Sequence, residues 1–353
     1  MTSSSSLHGM TRRVYGGEPS RKPWASVVIP TFRRPHLLRE ALGSALRQEE
    51  GPQYEVIVVD NAASEETLKI ARGFESARVS VYYNDKNLGM WGSIEVGVSA
   101  ATGDWVLILC DDDLLLPGAL RQFEAAISRN QKDRIGCLAG GTALLLADDV
   151  QPILRPPTVQ LPFRPPWRRM DPFPVPPGAE FEAVPKLCSS IFRRDEVLAV
   201  GSWDRECVGY ADLALFLELQ KRGLLYGSME VFGSFRIHGG NDSNPLKIWD
   251  TYPINAAERL LVLYGEGCGA GGVKLRRQIE SSYVKGLWKI PLSSNFRRQY
   301  AREVLERLAR TKRYRLLLRC PWLMGVLGAL FRFARPRAGR IVQAFRRVAG
   351  DRG

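Results

Sequence analysis

The sequence predicts an α/β fold with a mostly parallel sheet and helices on both faces, on three observations. Short apolar runs alternate with amphipathic segments from Trp24 to about Asn130, and that alternation sets parallel strands side by side under covering helices. The runs are apolar over most of their length, as strands buried inside such a sheet are. Two of them end in aspartate, at Asp60 and at Asp111-Asp112-Asp113. Ligands bind beyond the carboxyl ends of strands in sheets of this kind, so both aspartate sites should face one cleft.

Taken in order, Ala25-Ser26-Val27-Val28-Ile29 is a strand, broken by Pro30 as the chain leaves the sheet. From His36 to Gln48, Leu37, Leu38, Ala41, Leu42, Ala45 and Leu46 share one helical face. Glu55 to Val59 is a second buried strand ending in Asp60-Asn61, and Ser64 begins a helix containing Thr67, Leu68 and Ile70. Val79 to Tyr83 is a third strand, Gly92 to Ala101 a helix, and Trp105 to Cys110 the strand that delivers the triplet. Residues 151–178 hold ten prolines, a density that blocks helix and central strand alike. A loop of that length is a lid, an acceptor-binding flap or a disordered segment. Beyond it, Lys186 to Phe192 reads as a strand and Gly209 to Arg222 as an amphipathic helix stopped by Gly223. Val231 to His238 is a further strand, before the turn Gly239-Gly240-Asn241-Asp242.

Charge is divided along the chain. Residues 291–353 carry 16 Lys or Arg against 3 Asp or Glu, and subtracting these from the totals of 50 and 37 leaves 34 of each in residues 1–290. The net charge of +13 therefore belongs to the tail. Six scattered cysteines show no CxxC pair or zinc-like spacing, the pattern of reduced, buried thiols and of a cytoplasmic protein. Residues 1–23, Ser-rich and basic without an apolar core, read as a disordered segment rather than a signal peptide or anchor. The longest charge-free apolar stretch of the tail, Cys320 to Phe331, has 12 residues. A spanning helix needs roughly 20, so no transmembrane segment is expected.

Three neighbouring carboxylates at the end of a buried strand repel one another, and burial raises their pKa values. A divalent cation removes the conflict, and hard oxygen ligands suit Mg²⁺ or Mn²⁺. The alternative is a solvated acidic turn ahead of a helix that starts near Pro117.

The ordered series Val27-Val28-Ile29-Pro30-Thr31-Phe32, Val58-Val59-Asp60-Asn61, Asn87-Leu88-Gly89, Gly103-Asp104-Trp105 and Asp111-Asp112-Asp113 resembles the family-2 glycosyltransferases. Asp212 within Tyr210-Ala211-Asp212-Leu213, and His238, extend the likeness, which covers roughly residues 25–245. It implies a GT-A fold, with a Rossmann-like sheet, and metal-dependent inverting transfer from a UDP-, dTDP- or GDP-linked sugar. Similar enzymes carry Asp-x-Asp-Asp where this chain has Cys110-Asp111-Asp112-Asp113. The resemblance places Pro30, Thr31, Phe32, Arg34, Asp60, Asn87, Gly89, Asp111 and Asp112 around the nucleotide-sugar. It gives Mn²⁺ or Mg²⁺ to Asp112, Asp113 and His238, and the role of base to Asp212, with Asp204 as the fallback.

Chemistry supports each role and leaves a plainer alternative beside some of them. An ionised Asp60 accepts only, so it suits the ring N–H of uracil, thymine or guanine; capping the next helix is its other use. Asn87 and Gly89 form a tight turn with or without a nucleotide beside it. His238 is a metal ligand or a histidine packed at a strand end. Trp203 stacks on a sugar or packs in the core. Free Asp, with a pKa near 3.9, is a weak base for an alcohol, so Asp212 must take the proton late, as attack makes the hydroxyl acidic.

The domain reading is a disordered segment over 1–23, a GT-A domain over 24–245 and a basic helical region over 246–353. Amphipathic basic stretches with Trp322, Phe331 and Phe345 suit an anionic membrane surface. The acceptor expected there is a glycan or a lipid-linked glycoconjugate in cell-surface polysaccharide assembly, at the inner face of the cell membrane. No nucleic-acid-binding motif is recognisable, and no nucleic acid is expected. Two rival functions stand beside this one. A sugar nucleotidyltransferase should have a Gly-rich phosphate loop after the first strand, which Pro30 to Pro35 lacks. A non-catalytic membrane or nucleic-acid binding module would not need Asp112 or Asp212.

Overall fold

The computed structural model describes residues 11–17, 19–130, 133–146, 159–163, 172–176, 179, 181, 184–200, 207, 210–238, 259–260 and 263–264. All of them fall in one compact unit, Met1–Asn244 with Thr251–Val273. In chain order the elements are β1 (Thr11–Tyr15), β2 (Ala25–Thr31), α1 (Pro35–Leu46), β3 (Tyr54–Asp60), α2 (Glu65–Gly73), β4 (Val79–Asn84), α3 (Gly89–Ala100) and β5 (Trp105–Ile108). There follow β6 (Leu114–Leu115), α4 (Ala119–Arg129), β7 (Cys137–Leu146), β8 (Val159–Gln160), β9 (Phe173–Pro174), β10 (Ser190–Arg193), α5 (Arg194–Ala199), α6 (Ala211–Lys221) and β11 (Leu225–Ile237).

One sheet runs in the order β1-β4-β3-β2-β5-β10-β7-β11-β6, with β8 on β7 and β9 on β11. Its heart, β4-β3-β2-β5, is parallel. Antiparallel β10 joins β5 to β7, which runs parallel to β11. Strand periodicity sends alternate side chains to opposite faces. Val27, Ile29, Val56, Val58 and Leu107 fill one face in a single core with Leu38, Leu42, Leu68, Leu120 and Phe123 from α1, α2 and α4. Val28 and Val59 turn the other way, toward α3, where a Cβ on Gly97 would lie 2.2 Å from Val28 Cγ1 and 3.2 Å from Val59 Cγ2. Glycine is what lets that helix sit on the sheet.

Local signals set the helices. Pro35 opens α1 at a position where no N–H is needed. Ser64 caps α2 by accepting from Glu66 N–H at 3.2 Å, with Glu65 and Glu66 in the first turn and Arg72 in the last. Gln48 ties the end of α1 to α4, donating to Leu116 O at 2.9 Å and accepting from Leu120 N–H at 3.3 Å.

Several expectations are corrected. Residues 11–15 are not disordered: they form an edge strand on β4, with Arg12 and Arg13 lying over Tyr83 and Tyr82 at 6.0 and 5.5 Å. Cation–π contact with the neighbouring strand supplies what an apolar pattern would otherwise provide. Pro30 does not break β2, which pairs with β3 through Thr31. The pairing of β2 with β5 has already ended at Val28, so Pro30 sits where one side of the ladder is open. Lys186 to Ser189 lead into β10 through a 3-10 turn rather than a strand.

The basic tail lies outside the described residues except for 259–260 and 263–264, as do most of the Pro-rich loop, Trp203, Asp204 and the Gly239–Asp242 turn. Among the described residues no helix is long and apolar enough to cross a membrane.

Packing at α3 yields a paired test. Gly97→Ala should lower the unfolding free energy by about 1–3 kcal/mol through overpacking. Gly73→Ala in α2, whose added methyl meets nothing within 4 Å, should raise it by up to about 1 kcal/mol. Urea denaturation of both variants reads the difference.

Candidate active site

The ends of β2, β3 and β5 place the predicted residues side by side. Thr31 and Asp60 are registered neighbours. Leu109 N–H donates to Val28 O at 2.9 Å as β5 ends, and Asp113 N–H closes a turn on Cys110 O at 3.0 Å. The triplet therefore emerges next to Thr31. β6 then pairs with β11 through Leu114 with Ser234 and Leu115 with Gly233, which carries Arg236 and His238 to the same place.

Each carboxyl of the triplet is buried and has its own partners. Asp111 accepts from Thr31 Oγ1 at 2.8 Å and from Arg34 Nη1 at 3.3 Å. The same Arg34 nitrogen reaches Asp112 Oδ2 at 3.1 Å, and His238 Nε2 lies 3.1 Å from that oxygen. Asp113 accepts from Arg236 N–H at 3.0 Å. Arg236 also donates through Nε to Asp112 O at 2.9 Å and pairs with Glu40. Burial pushes Asp111 up to about 6, against the pull of Arg34, the further push of Asp112 and the Thr31 bond. Burial and the neighbouring Asp112 push Asp113 to about 8, opposed by Arg236 N–H, the Cys188 thiol and Lys186.

The donor set fits a divalent cation. Cys110, Asp112 and Asp113 offer ligand atoms that all lie within 4.8 Å of one another. Crowded, buried carboxylates that ionise with difficulty are what a hard cation relieves. Burial holds the Cys110 and Cys188 thiols well above their usual range. The four described cysteines are free, and three of them are buried.

On the β3 and β4 side, Asp60 is fully buried, and its oxygens accept from Ala62 N–H at 2.8 Å and Ser64 N–H at 2.7 Å. Its carboxylate thus shapes the approach to α2, as the capping alternative holds, while lone pairs remain for another donor. Asn61 donates to Asn87 Oδ1 at 2.5 Å and accepts from Asn84 Nδ2 at 3.0 Å and Leu88 N–H at 2.8 Å. Asn87 in turn accepts from Gly89 N–H at 2.8 Å, and Gly89 takes φ +72°, which favours glycine. This asparagine chain fixes the loop beside Asp60. Phe32 is 39% exposed, with the Arg33 guanidinium 5.0 Å from its ring centre.

Asp212 stands in the first turn of α6, accepting from Leu213 N–H at 2.7 Å. Burial raises its pKa, while Lys186 and backbone N–H groups hold it down. Arg236 and Lys186 are the site residues that sequence reasoning missed. Arg236 had a signal, since it stands two residues before His238 at a strand end and shares its face. Lys186 had none, because its neighbours come from distant elements.

Comparison with known proteins places this geometry. The family described as Glycosyl transferase family 2 matches residues 26–140. GalNAc(5)-diNAcBac-PP-undecaprenol beta-1,3-glucosyltransferase of Campylobacter jejuni is 34% identical over 101 residues, covering 28% of this chain and 32% of that one. The curated relatives first matched are spanned over only 29–43% of their own length. Among solved structures, S. aureus TarS 1-349 in complex with UDP-GlcNAc aligns with a TM-score of 0.60 at 16% identity, over 86% of this chain and 88% of that one. The mannosyltransferase PcManGT from Pyrobaculum calidifontis, in complex with GDP-Man and Mn²⁺, aligns with a TM-score of 0.53 at 14% identity, over 94% and 87%. These likenesses establish the GT-A type of fold.

The triplet's electrostatics have a measurable consequence. Asp111 and Asp113 hold their protons to higher pH in the folded chain than in the unfolded one, where Asp titrates near 3.9. The native state is therefore unburdened below about pH 4 and loses stability as pH rises through about 6 and about 8. Without added divalent metal, the melting temperature of the wild type should fall between pH 5 and 8 relative to Asp113→Asn, which keeps the acceptor for Arg236 N–H. At pH 8 the variant should be the more stable of the two.

Proposed function

We propose that this chain, which carries a Glycosyl transferase family 2 domain over residues 26–140, moves a sugar from a nucleoside-diphosphate donor to a hydroxyl of a glycan or lipid-linked acceptor, with inversion. The observation that carries the reading is the convergence of Thr31, Arg34, Arg236 and His238 on three buried aspartates at one end of the sheet.

In this reading the donor's base lies over the exposed ring of Phe32, bounded by Pro30, Asp60 and the loop of Asn87 and Gly89. Asp111 and Asp112 face the ribose and diphosphate, and Arg34 is within reach of the diphosphate's charge. Asp112 and Asp113, with His238, are the residues to hold Mn²⁺ or Mg²⁺. Such an ion, when bound, offsets charge on the departing nucleoside diphosphate. Asp212 takes the proton from the acceptor hydroxyl as that oxygen bonds the anomeric carbon. The carbon–oxygen bond to the diphosphate breaks on the opposite face, and its electron pair leaves with the nucleotide. A carboxyl raised by burial is a better base for this step than one in water. The S. aureus and Pyrobaculum structures, with UDP-GlcNAc and GDP-Man, support a nucleotide-sugar donor. The Campylobacter relative, named for a polyprenyl-diphosphate-linked acceptor, supports a lipid-linked one.

The tail has its own part in this function. Residues 291–353, with their net charge of +13 and basic amphipathic pattern, hold the enzyme on an anionic membrane at the cytoplasmic face, next to a lipid-borne acceptor. Anionic vesicles should sediment the full chain in low salt, release it in high salt, and fail to sediment a chain lacking 291–353. Retention by the shortened chain rejects the anchoring role.

Thermal unfolding with UDP, GDP, dTDP and CDP, with and without Mn²⁺, tests the donor site. One nucleotide at a hundred times its dissociation constant should stabilise the wild type by about 2.7 kcal/mol, with metal only, and Asp112→Asn should lose the effect. Asp212→Asn should keep it and lose transfer by about 10²–10⁴-fold. No response to any nucleotide rejects the reading.

A further inference from the structure

Lys186 carries a charge with no role in the transfer described above. It stands just before the 3-10 turn Leu187–Ser189 that leads into β10. Its carbonyl is pinned twice, accepting from Ser189 N–H at 3.0 Å and Ser190 Oγ at 2.8 Å. The ammonium rests 4.5 Å from the centre of the Phe235 ring, and no described carboxylate comes within the 4.0 Å of an ion pair.

Its surroundings belong to two parts of the site. Phe235 precedes Arg236, whose N–H binds Asp113. Cys188, two residues further along, gives its thiol hydrogen to Asp113. The helix bearing Asp212, α6, packs on β11, the strand of Phe235. The ammonium acts on both Asp113 and Asp212. Among the described residues it is the one charged group that acts on Asp212, whose remaining partners are backbone N–H groups.

We propose that Lys186 is a positioning residue for transfer: its ammonium, seated on Phe235 between Asp113 and Asp212, keeps the Asp212 carboxyl ionised to receive the acceptor's proton. The proposal rests on the reading of Asp212 as the base. Burial alone drives that carboxyl toward its neutral form, which cannot accept a proton, and the ammonium opposes it. The ammonium's place also suits the whole step. As Asp212 takes the proton it becomes neutral, and negative charge grows on the diphosphate, on the Asp113 side. One fixed cation thus faces the anion at the start and at the end. Serving both, it has no reason to form a tight pair with either.

The test reads Asp212 directly in the full chain. Carbodiimide-driven amidation captures the protonated carboxyl, and mass spectrometry of the Asp212 peptide from roughly pH 4.5 to 8 gives its midpoint. Lys186→Met should move that midpoint up by about one pH unit or more, and Lys186→Arg should restore it. An unmoved midpoint in Lys186→Met overturns the proposal. Should Lys186→Met not fold, Phe235→Leu removes the ammonium's seat and takes the same readout: a raised midpoint supports the role of Lys186 and an unmoved one overturns it. Hydrolysis of UDP-N-acetylglucosamine or GDP-mannose by water, with Mn²⁺, separates this from the underlying reading. The acid limb of kcat/KM should rise in step with the labelling midpoint, with the donor KM unchanged. If Asp212→Asn hydrolyses as fast as the wild type, the base assignment falls. If Asp212→Asn is inactive and Lys186→Met keeps the wild-type limb, only the role of Lys186 falls.

Discussion

Three carboxylates forced together at the buried end of β5 are the constraint around which the rest of the site is arranged. Buried like charges at such range are unfavourable unless something positive or donating meets each one. The fold meets them from three directions. Thr31 and Arg34 come from the loop after β2, Arg236 and His238 from the end of β11, and Cys188 from the turn into β10. None of these is near the triplet in sequence, so the antiparallel insertion of β10 and the pairing of β6 with β11 are what complete the site.

The sheet explains why the constraint sits where it does. β2, β3 and β5 all end on one edge, where the ladder of β2 with β5 stops at Val28 while that with β3 continues to Thr31. The mismatch opens a gap at the end of the central strands, the switch point at which α/β sheets bind ligands. Pro30 is tolerated there because the open side asks for no N–H, and Arg33 takes φ +56° as the chain turns over the gap. That turn carries Phe32 and Arg34 to opposite duties: one leaves an exposed aromatic face, the other reaches back to the carboxylates.

Much of this was legible in the sequence because it is local. Apolar runs named β2 to β5, leucine spacing named α1, and Ser64 named the start of α2. The aspartates were legible because strand ends in such a sheet have a known orientation. What escaped was non-local or hidden by composition. β7 contains Gly140-Gly141, which weakens any strand signal, yet a Cβ on Gly140 would lie 2.4 Å from Phe232, so the strand needs the glycine. β1 is held by arginines over tyrosines rather than by an apolar pattern. Lys186 has meaning only once Phe235, Asp113 and Asp212 surround it, and three separate elements bring them there.

The two sides of the cleft differ in how their acidity is balanced, and the difference matches the chemistry proposed for each. The triplet side holds three carboxyls against two arginines and a histidine, a surplus of negative charge that favours a divalent cation and, through it, an anionic diphosphate. The Asp212 side holds one carboxyl, backbone donors and the field of one distant ammonium. A carboxylate locked in a tight ion pair would be held too low to accept a proton, and one left to burial alone would already carry it. Base chemistry needs the middle course, and a loosely placed cation on an aromatic seat is a means of reaching it. If the two sides were exchanged, neither would serve: the crowded one would be too tightly paired to act as a base, and the sparse one too weakly charged to gather a cation.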